Sequence, residues 1–553
     1  MERLWEKNYD FWYHSVHFQR MTVQDMLHCS AAVAPDKVAT DFFGTQITYY
    51  QLRLLSIKFA QALVKIGVKK GDRVCLQLPN SPQFAIAYFG TLMAGGIATL
   101  MNPLYTADEV NQLISITQPG AFITFDMLLP NHRDVLKQSG VTVIVTKITD
   151  FIDGFPKGSS QELQLEKDWH YFSDLLDSIY EASVPKIDIS PDDPAIIVFT
   201  GGTTGAPKGA VHTHYNVVGA TISTMEVGKY FIDLMPAETR CNIGVMPFFH
   251  IAGHIQCFTW GIFRQTTMYL VPRFDINEFI NLLGRIPHKV TYFFAVPTLL
   301  TALVNHPKAK ELALDRKFGL ILSGGASCPV PLINKMKDMG LFYIEAWGMT
   351  ETCGIGICTP IFGIKKPGSI GIPMQESMVK IVDLEDGKTE VPPGKPGELI
   401  FKSPFIMKGY WNNKEETDNV LKDGWLYTGD VVTMDEDGFI YIVDRKKDMI
   451  IAGGYNVYPS EIDDVLLRHP KVDKAVTVGI PDTYRGETVK AFIVLKEGEV
   501  ATEGEIIEFC KQHLAAYKVP KIVEFRKELP MSAVGKILRK VLREEEVQKV
   551  KSK

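Results

Sequence analysis

The sequence lacks the features that mark several large classes of protein. Its eight cysteines are scattered over 553 residues without a paired spacing, which argues against a disulfide framework. A net charge of −5 provides no positive excess to attract nucleic acid. The N-terminus, Met1-Glu2-Arg3-Leu4-Trp5, is charged and aromatic, unlike a secretory signal. We therefore expect a protein of the reducing cytoplasm that does not bind nucleic acid.

Long hydrophobic runs are also scarce. One uncharged stretch, Phe84–Met101, is long enough to be considered as a membrane span. Three glycines interrupt it and Asn102-Pro103 ends it, so a helix to about Ala94 and a strand from Ile97 explain it as interior structure. We expect no transmembrane segment. The aromatic N-terminus and the basic tail 549–553 leave peripheral membrane contact open, although a docked arm and a solvated end is the simpler interpretation.

What is present is an alternation of helical and strand patterns. The 46% hydrophobic content and the length favour two or three globular domains. Helical periodicity covers 48–66 and 82–94, and strand patterns cover 73–78, 121–125, 141–146, 267–270 and 320–322. From Gly368 the pattern becomes β-rich. We predict an α/β protein with a large N-terminal domain of stacked α/β subdomains (1–444, β-rich over about 368–444) and a small, mobile C-terminal α+β domain (445–553).

The most informative segment is rich in glycine and threonine. It follows an apolar strand at 195–199 and precedes a helical pattern at 212–227, so we expect a strand-to-helix turn. Glycines let backbone N–H groups approach a polyanion, hydroxyls add donors, and a lysine supplies a point charge. The segment lacks the Gly-Lys-Ser/Thr that ends a Walker phosphate loop, because its lysine follows a proline. The segment indicates phosphate binding and comprises Thr200, Gly201, Gly202, Thr203, Thr204, Gly205, Ala206, Pro207, Lys208 and Gly209.

This segment resembles the phosphate loop of the adenylate-forming superfamily, which includes acyl-CoA synthetases, the adenylation domains of nonribosomal peptide synthetases and firefly luciferase. Many members have serine where this chain has Gly201. Glycine at that position is common among fatty-acyl-CoA synthetases. The resemblance therefore favours this branch of the superfamily.

A second motif is similar to the Tyr-Gly-x-Thr-Glu run of the same superfamily, with Trp347 in place of the tyrosine. The resemblance implies that Trp347 offers an aromatic face to adenine, that Thr350 binds the α-phosphate and that Glu351 holds Mg²⁺. We expect Thr350 and Glu351 at one exposed turn. The motif comprises Glu345, Ala346, Trp347, Gly348, Met349, Thr350 and Glu351, and the expected adenine-binding backbone is Gly324, Gly325 and Ala326.

Further matches follow in the order expected for the superfamily. Asp430 resembles the aspartate that accepts hydrogen bonds from the ribose hydroxyls, and Arg445 the arginine that also contacts ribose. Lys447 falls at the hinge position, where members have aspartate or lysine. Gly453, Gly454 and Tyr455 resemble the segment that lines the pantetheine tunnel, and we expect the next helix, 461–467, to be capped by Ser460.

Two residues are expected at the reacting centre. Lys536 matches the lysine of the Leu-Pro…Gly-Lys signature, and a cation there offsets the repulsion between a carboxylate and the phosphates of ATP. His250, in Met246-Pro247-Phe248-Phe249-His250, resembles the gate of the acyl pocket. Neither His250 with His254 nor His212 with His214 has the accompanying cysteines or carboxylates of a metal site.

The resemblance extends from about Thr48 to Arg539 and implies an AMP-forming acyl-CoA synthetase that uses ATP, Mg²⁺ and coenzyme A. Its expected acid is a fatty acid of long or medium chain. An aryl-CoA ligase of the same fold, an adenylase without CoA transfer and a non-catalytic binding protein stay open as alternatives, as does a homodimer.

Overall fold

The structure is a computed structural model, and it describes residues 3–9, 15–153, 164–200, 207–452, 455–482, 486–532 and 535–551. Its strands are, in chain order, β1 (Val38–Phe42), β2 (Thr45–Thr48), β3 (Arg73–Gln77), β4 (Ile97–Leu100), β5 (Ala121–Phe125), β6 (Thr142–Thr146), β7 (His170–Tyr171), β8 (Pro194–Thr200), β9 (Lys208–Thr213), β10 (Cys241–Gly244), β11 (Thr267–Leu270), β12 (Val290–Ala295), β13 (Phe318–Ser323), β14 (Tyr343–Trp347), β15 (Ile357–Cys358), β16 (Ile372–Pro373), β17 (Met378–Val382), β18 (Gly397–Lys402), β19 (Gly409–Tyr410), β20 (Leu421–Lys422), β21 (Trp425–Met434), β22 (Ile440–Arg445), β23 (Ile450–Ala452), β24 (Tyr455–Val457), β25 (Val472–Asp482), β26 (Gly486–Leu495) and β27 (Ile522–Phe525).

The helices alternate with these strands over most of the chain. They are α1 (Val23–Val33), α2 (Tyr49–Lys65), α3 (Pro82–Met93), α4 (Ala107–Thr117), α5 (Leu129–Ser139), α6 (Phe172–Asp177), α7 (His214–Glu226), α8 (Lys229–Asp233), α9 (Ile251–Gly253), α10 (Trp260–Phe263), α11 (Ile276–Arg285), α12 (Pro297–Asn305), α13 (Leu314–Lys317), α14 (Val330–Asp338), α15 (Lys414–Val420), α16 (Pro459–Leu466), α17 (Glu503–His513) and α18 (Arg539–Lys551). A π-helical segment, His254–Thr259, joins α9 to α10.

The large part of the molecule contains three sheets. A nine-stranded sheet runs β16-β15-β14-β13-β12-β10-β11-β1-β2, and an eight-stranded sheet runs β19-β9-β8-β4-β3-β5-β6-β7. The third runs β17-β18-β21-β20, with β22 beside β21, and forms the β-rich section that the sequence predicted. The predicted α/β class is confirmed. The predicted helices at 48–66 and 82–94 are also confirmed, and each of their ends lies within one residue of the observed end.

The long apolar run is interior structure, as predicted. Every residue of α3 and β4 is buried, and a turn at Gly95 (φ 74°) connects them. Helix α3 is apolar all round because neighbouring elements cover it on every side. None of the helices in the described ranges combines the length and apolarity that a membrane span requires.

The predicted strand-to-helix turn after Thr200 is wrong. Residues 208–213 form β9, which pairs antiparallel with β8, so the glycine-rich segment connects two strands of a hairpin. Helix α7 begins only at His214, where the Thr213 hydroxyl accepts from the Asn216 N–H at 3.1 Å. Residues 209–213 are buried, as expected for a strand inside a sheet, and Thr213 is a favourable cap for the helix.

The end of the chain forms a sheet and cores of its own. Strands β23 to β27 make a five-stranded sheet, and residues between Ile450 and Leu542 make two hydrophobic clusters around it. Only residues 446–449 lie between β22 of the large part and β23 of this small unit. The predicted Ser460 cap is wrong, because α16 begins at Pro459 and places Ser460 inside its first turn.

The N-terminal residues dock on the large part of the molecule. Trp5 and Tyr9 are buried, and the Tyr9 hydroxyl donates to the Pro373 carbonyl at 2.9 Å. The Lys7 ammonium pairs with Asp437 at 2.9 Å. These contacts confirm the docked arm for residues 3–9.

Replacing Gly438 should release this arm. Gly438 has φ +85°, and an added Cβ would lie 2.6 Å from the Trp5 nitrogen. Gly394 is a matched control, since its φ is +82° and nothing lies within 4 Å of an added Cβ. Both alanine variants carry the backbone strain of about 1–2 kcal/mol, but only Gly438→Ala adds a clash. We expect the clash to destabilise the docked arm by at least about 1 kcal/mol, which corresponds to tryptic cleavage at Lys7 that is about fivefold faster or more. Cleavage in Gly394→Ala should not accelerate. Equal rates in the two variants would contradict the docking argument.

Candidate active site

The β8–β9 hairpin carries the first group of candidate residues. Thr200 and Lys208 face each other in register where the two strands diverge, and residues 201–206 between them lie outside the described residues. The Lys208 ammonium pairs with Glu416 at 2.6 Å and lies 5.6 Å from the centre of the Tyr410 ring. The lysine is thus held at the base of the loop by a carboxylate, a partner that a phosphate could replace.

Tyr410 connects this hairpin to Glu351. Strand β19 pairs with β9, which places Tyr410 opposite Ala210. The Tyr410 hydroxyl donates to Glu351 Oε1 at 2.6 Å, and burial together with this carboxylate raises the pKa of Tyr410. The phenol therefore stays protonated as a donor. Glu351 is 7% exposed, so the predicted exposed turn is wrong for this residue, whose buried carboxylate is stabilised by the tyrosine.

The adenine candidates lie where two parallel strands end. Gly324 to Ala326 follow β13, and Glu345 to Trp347 are in β14, with Ser323 opposite Glu345. An added Cβ on Gly324 would lie 2.7 Å from the Ala346 carbonyl, so the two backbones pack closely. Gly325 and Ala326 are exposed, which leaves backbone open for a flat ring. Burial raises the pKa of the Glu345 carboxyl to about 7.

Asp430 is the centre of a buried group of hydrogen bonds and charges. Its carboxylate is 2% exposed, accepts from Trp347 Nε1 at 2.8 Å and pairs with Arg445 Nε at 2.5 Å. The pairing of β21 with β22 places Asp430 opposite Arg445. Trp347, in addition to any stacking role, therefore holds the carboxylate through its indole N–H, a bond that the tyrosine usual at this position would make differently.

Lys536 projects from a tight turn that packs against the large part of the molecule. The Ser532 N–H donates to the Lys536 carbonyl at 2.7 Å, and an added Cβ on Gly535 (φ +74°) would lie 2.7 Å from Thr298 Oγ1. Lys536 is exposed to solvent, although protein atoms surround its ammonium closely enough to remove part of its solvation. This loss of solvation, followed by the charge of Arg445, lowers the pKa of Lys536, and Asp430 opposes the shift.

His250 lies within the electrostatic influence of Lys536. Its Nδ1 accepts from the Ala252 N–H at 3.3 Å just before the π-helical segment. Burial, and to a smaller degree Lys536, lower the pKa of His250 to about 4. The imidazole is therefore neutral at physiological pH.

The structure thus brings together residues that are far apart in the sequence. Burial, and then the charge of Arg445, lower the pKa of Lys447 in the linker, and Asp448, Asp430 and Glu351 oppose this shift. Thr350 is half-buried in the turn beside Glu351. Gly453 and Gly454 lie outside the described residues, and Tyr455 begins β24.

Two contributors were missed by sequence reasoning. Tyr410 and Glu416 have no motif of their own and lie about 200 residues beyond Lys208. Asn413 caps α15 by accepting from the Glu416 N–H at 3.1 Å. This cap is a local signal for the helix, but it does not indicate that Glu416 pairs with Lys208. The β9–β19 pairing alone brings them to the site.

Comparisons with known proteins agree with this arrangement. A family model described as AMP-binding enzyme matches residues 27–411, and one described as AMP-binding enzyme C-terminal domain matches 461–536. The chain is 40% identical to a long-chain-fatty-acid–CoA ligase of Bacillus subtilis (strain 168), over 97% of this chain and 96% of that protein.

Two solved structures show the same fold. The ATP-bound MatB of Rhodopseudomonas palustris superposes with a TM-score of 0.84 at 28% identity, covering 95% of this chain and 99% of that one. The anthranilate CoA ligase AuaEII in complex with anthranoyl-AMP gives a TM-score of 0.81 at 26% identity, with 96% and 98% covered. The protein is therefore a member of the AMP-binding enzyme family.

Proposed function

We propose that this enzyme joins a long-chain fatty acid to coenzyme A, with ATP converted to AMP and pyrophosphate. The full-length similarity to a ligase named for that reaction supports the acid and the thiol. The observation that carries the proposal is the position of Lys536, which is brought by the small C-terminal unit to the Asp430–Arg445 pair of the large part. A cation delivered there suits a reaction between two anions.

In the first half-reaction, a carboxylate oxygen of the fatty acid attacks the α-phosphorus of ATP and pyrophosphate leaves. We assign Lys208, Thr200 and the loop 201–205 to the phosphates that leave. Asp430 and Arg445 hold the ribose, and Gly324 to Ala326 with Trp347 receive the adenine. Lys536 bridges the attacking carboxylate and the α-phosphate, where negative charge is concentrated in the transition state. Thr350 donates its hydroxyl to the same phosphate.

Glu351 fits the role of the Mg²⁺ ligand. It is an anionic oxygen donor beside the hairpin, and no cluster of three or more metal-binding side chains occurs elsewhere in the described residues. Mg²⁺ bound with nucleotides is held by one or two carboxylates, by phosphate oxygens and by water, so a single glutamate suffices. The ion would neutralise phosphate charge, and the Tyr410 hydroxyl would keep the carboxylate in position.

In the second half-reaction, the thiolate of coenzyme A attacks the acyl carbonyl and AMP leaves. We propose that the C-terminal domain, predicted as 445–553, turns about Lys447 between the two steps, withdrawing Lys536 and bringing Gly453, Gly454 and Tyr455 to the thiol passage. Arg445 stays with the large part, because it belongs to β22 and pairs with Asp430. The short connection of residues 446–449 between two separate sheets supports a hinge at this place. We assign His250, which is neutral because burial lowers its pKa, to the gate of the acyl pocket.

Pyrophosphate release with a panel of acids tests the proposed function. The panel contains saturated fatty acids of increasing length, benzoate, anthranilate and 4-coumarate, each with and without coenzyme A. We expect release and thioester formation to be greatest with long-chain fatty acids. A preference for the aromatic acids would favour an aryl-CoA ligase, and pyrophosphate without any thioester would favour an adenylase. No pyrophosphate with any acid would contradict the proposal.

Lys536→Ala separates the two half-reactions. Loss of a charge that is matched to the transition state should lower the rate of pyrophosphate release by roughly 10²–10³-fold. Transfer of the acyl group from a purified acyl-adenylate to coenzyme A should be retained, because Lys536 has no part in that step. Lys540→Ala is the matched control, since it removes a nearby cation from the first turn of α18, which follows the Lys536 loop. It should leave both rates nearly unchanged. An equal loss in both half-reactions would contradict the assignment.

The pH dependence of adenylation should report Lys536. The charged ammonium is the active form, so kcat/KM for pyrophosphate release, which reports the free enzyme, falls as the pH rises through its pKa. Burial and Arg445 lower that pKa from 10.5, so the alkaline fall should occur below pH 10.5. Lys536→Arg should keep residual activity without this alkaline fall, since a guanidinium stays charged. An unchanged alkaline profile in that variant would show that another group titrates.

A further inference from the structure

Asp444 is a buried carboxylate of the large part that contacts the small unit across the linker. It lies in β22, which pairs with β21 of the β-rich sheet, and it is 2% exposed. Its Oδ1 accepts from the Arg445 N–H at 2.7 Å within its own strand. The other contacts of this carboxylate are made with residues beyond the linker 446–449.

The first of these contacts caps a helix of the small unit. The Ser460 N–H, in the first turn of α16, donates to Asp444 Oδ2 at 2.8 Å. Tyr458, which occupies the N-cap position of α16, makes no capping hydrogen bond with its side chain. The unpaired N–H groups and the positive end of a helix favour a carboxylate there. Asp444 therefore supplies to α16 the cap that the helix lacks.

The second contact is with Arg539, three residues after Lys536. Arg539 Nη1 lies 3.6 Å from Asp444 Oδ1, and Arg539 Nη2 donates to Asp463 and, at 3.3 Å, to Ser460 Oγ. The arginine thus connects the start of α18 to α16 and to Asp444. The loop that carries Lys536 is attached to the same cluster that holds the helix cap.

We propose that Asp444 is a positioning residue that stabilises the domain orientation in which Lys536 reaches the ATP site. This inference rests on the proposed function, in which the C-terminal domain adopts a second orientation for thioester formation. Asp444 lies before Lys447, and Ser460 and Arg539 lie beyond it, so a rotation about Lys447 would separate them and both contacts would stabilise the first orientation only. A group that interacts with one of two states shifts the equilibrium toward that state.

Domain orientation can be measured directly in the full-length protein. Cys29 is exposed and the other seven cysteines are buried, so Cys29 and an added Val500→Cys, at a position that is 78% exposed, accept a fluorescent donor and acceptor. Single-molecule energy transfer then gives the ratio of the two orientations without substrates. Loss of a helix cap typically costs about 1 kcal/mol, which corresponds to a change on the order of fivefold in this ratio.

We expect Asp444→Ala to raise the ratio of the second orientation to the first on the order of fivefold. Asp444→Asn should raise it less, since its one amide oxygen can still accept from the Ser460 N–H, while the charge facing Arg539 and the second acceptor, which takes the Arg445 N–H, are lost. Glu546→Gln is the matched control: Glu546 is also a buried carboxylate, but it pairs with Lys490 inside the small unit, at 2.8 Å. A ratio in Asp444→Ala equal to that of the control overturns the proposal. If Asp444→Ala does not fold, the same comparison with Asp444→Asn decides.

The two half-reactions provide a second readout, which a merely structural role would not separate. In Asp444→Ala, single-turnover pyrophosphate release should fall relative to acyl transfer from a purified acyl-adenylate, again on the order of fivefold. A parallel fall of both rates overturns the proposal. If the wild-type enzyme releases no pyrophosphate with any acid, the proposed function fails, and the energy-transfer ratio still tests the role of Asp444.

Discussion

The buried carboxylate of Asp430 is the constraint on which the rest of the site depends. A carboxylate that is 2% exposed requires charged and hydrogen-bonded partners, and Trp347 and Arg445 provide them. Trp347 belongs to the nine-stranded sheet and Arg445 to the β-rich sheet, so Asp430 joins two layers of the molecule. Arg445 is also the last residue of β22. The same ion pair thus fixes the point at which the chain leaves the large part, and in the proposed function it also borders the ribose.

The phosphate side follows a similar principle of paired charges. Lys208 is neutralised by Glu416, and Glu351 is held by Tyr410. These partners keep a cation and an anion in defined positions when no nucleotide is present. Ammonium groups form charge-assisted hydrogen bonds with phosphate as well as with carboxylate, so in the proposed reaction phosphates would take the place of Glu416 beside Lys208. The site is organised in advance, which lowers the cost of ordering it during the reaction.

Several elements could be predicted from the sequence because their signals are local. Thr48 caps α2 and Ser81 caps α3, and each cap is followed by a helical pattern, so both helices were located within a residue. The hairpin after Thr200 was misread because residues 208–213 carry no turn signal and their strand character depends on pairing with β8. Ser460 was misread for a related reason: the carboxylate that satisfies this helix end comes from Asp444, outside the helix.

The sequence by itself determined the class of chemistry, since glycine-rich segments, Thr350-Glu351, Asp430 and Lys536 occur in the order of a known superfamily. It also located the helices at 48–66 and 82–94, because periodicity and caps act over a few residues. Only the tertiary structure decided that Glu351 is buried beneath Tyr410, that Glu416 holds Lys208, and that Asp444 spans the linker. Those contacts join residues from 16 to 208 positions apart, and their existence depends on strand pairing and on how two separate cores meet. No local pattern encodes such distances, so the partners of each charge became visible only in the folded molecule.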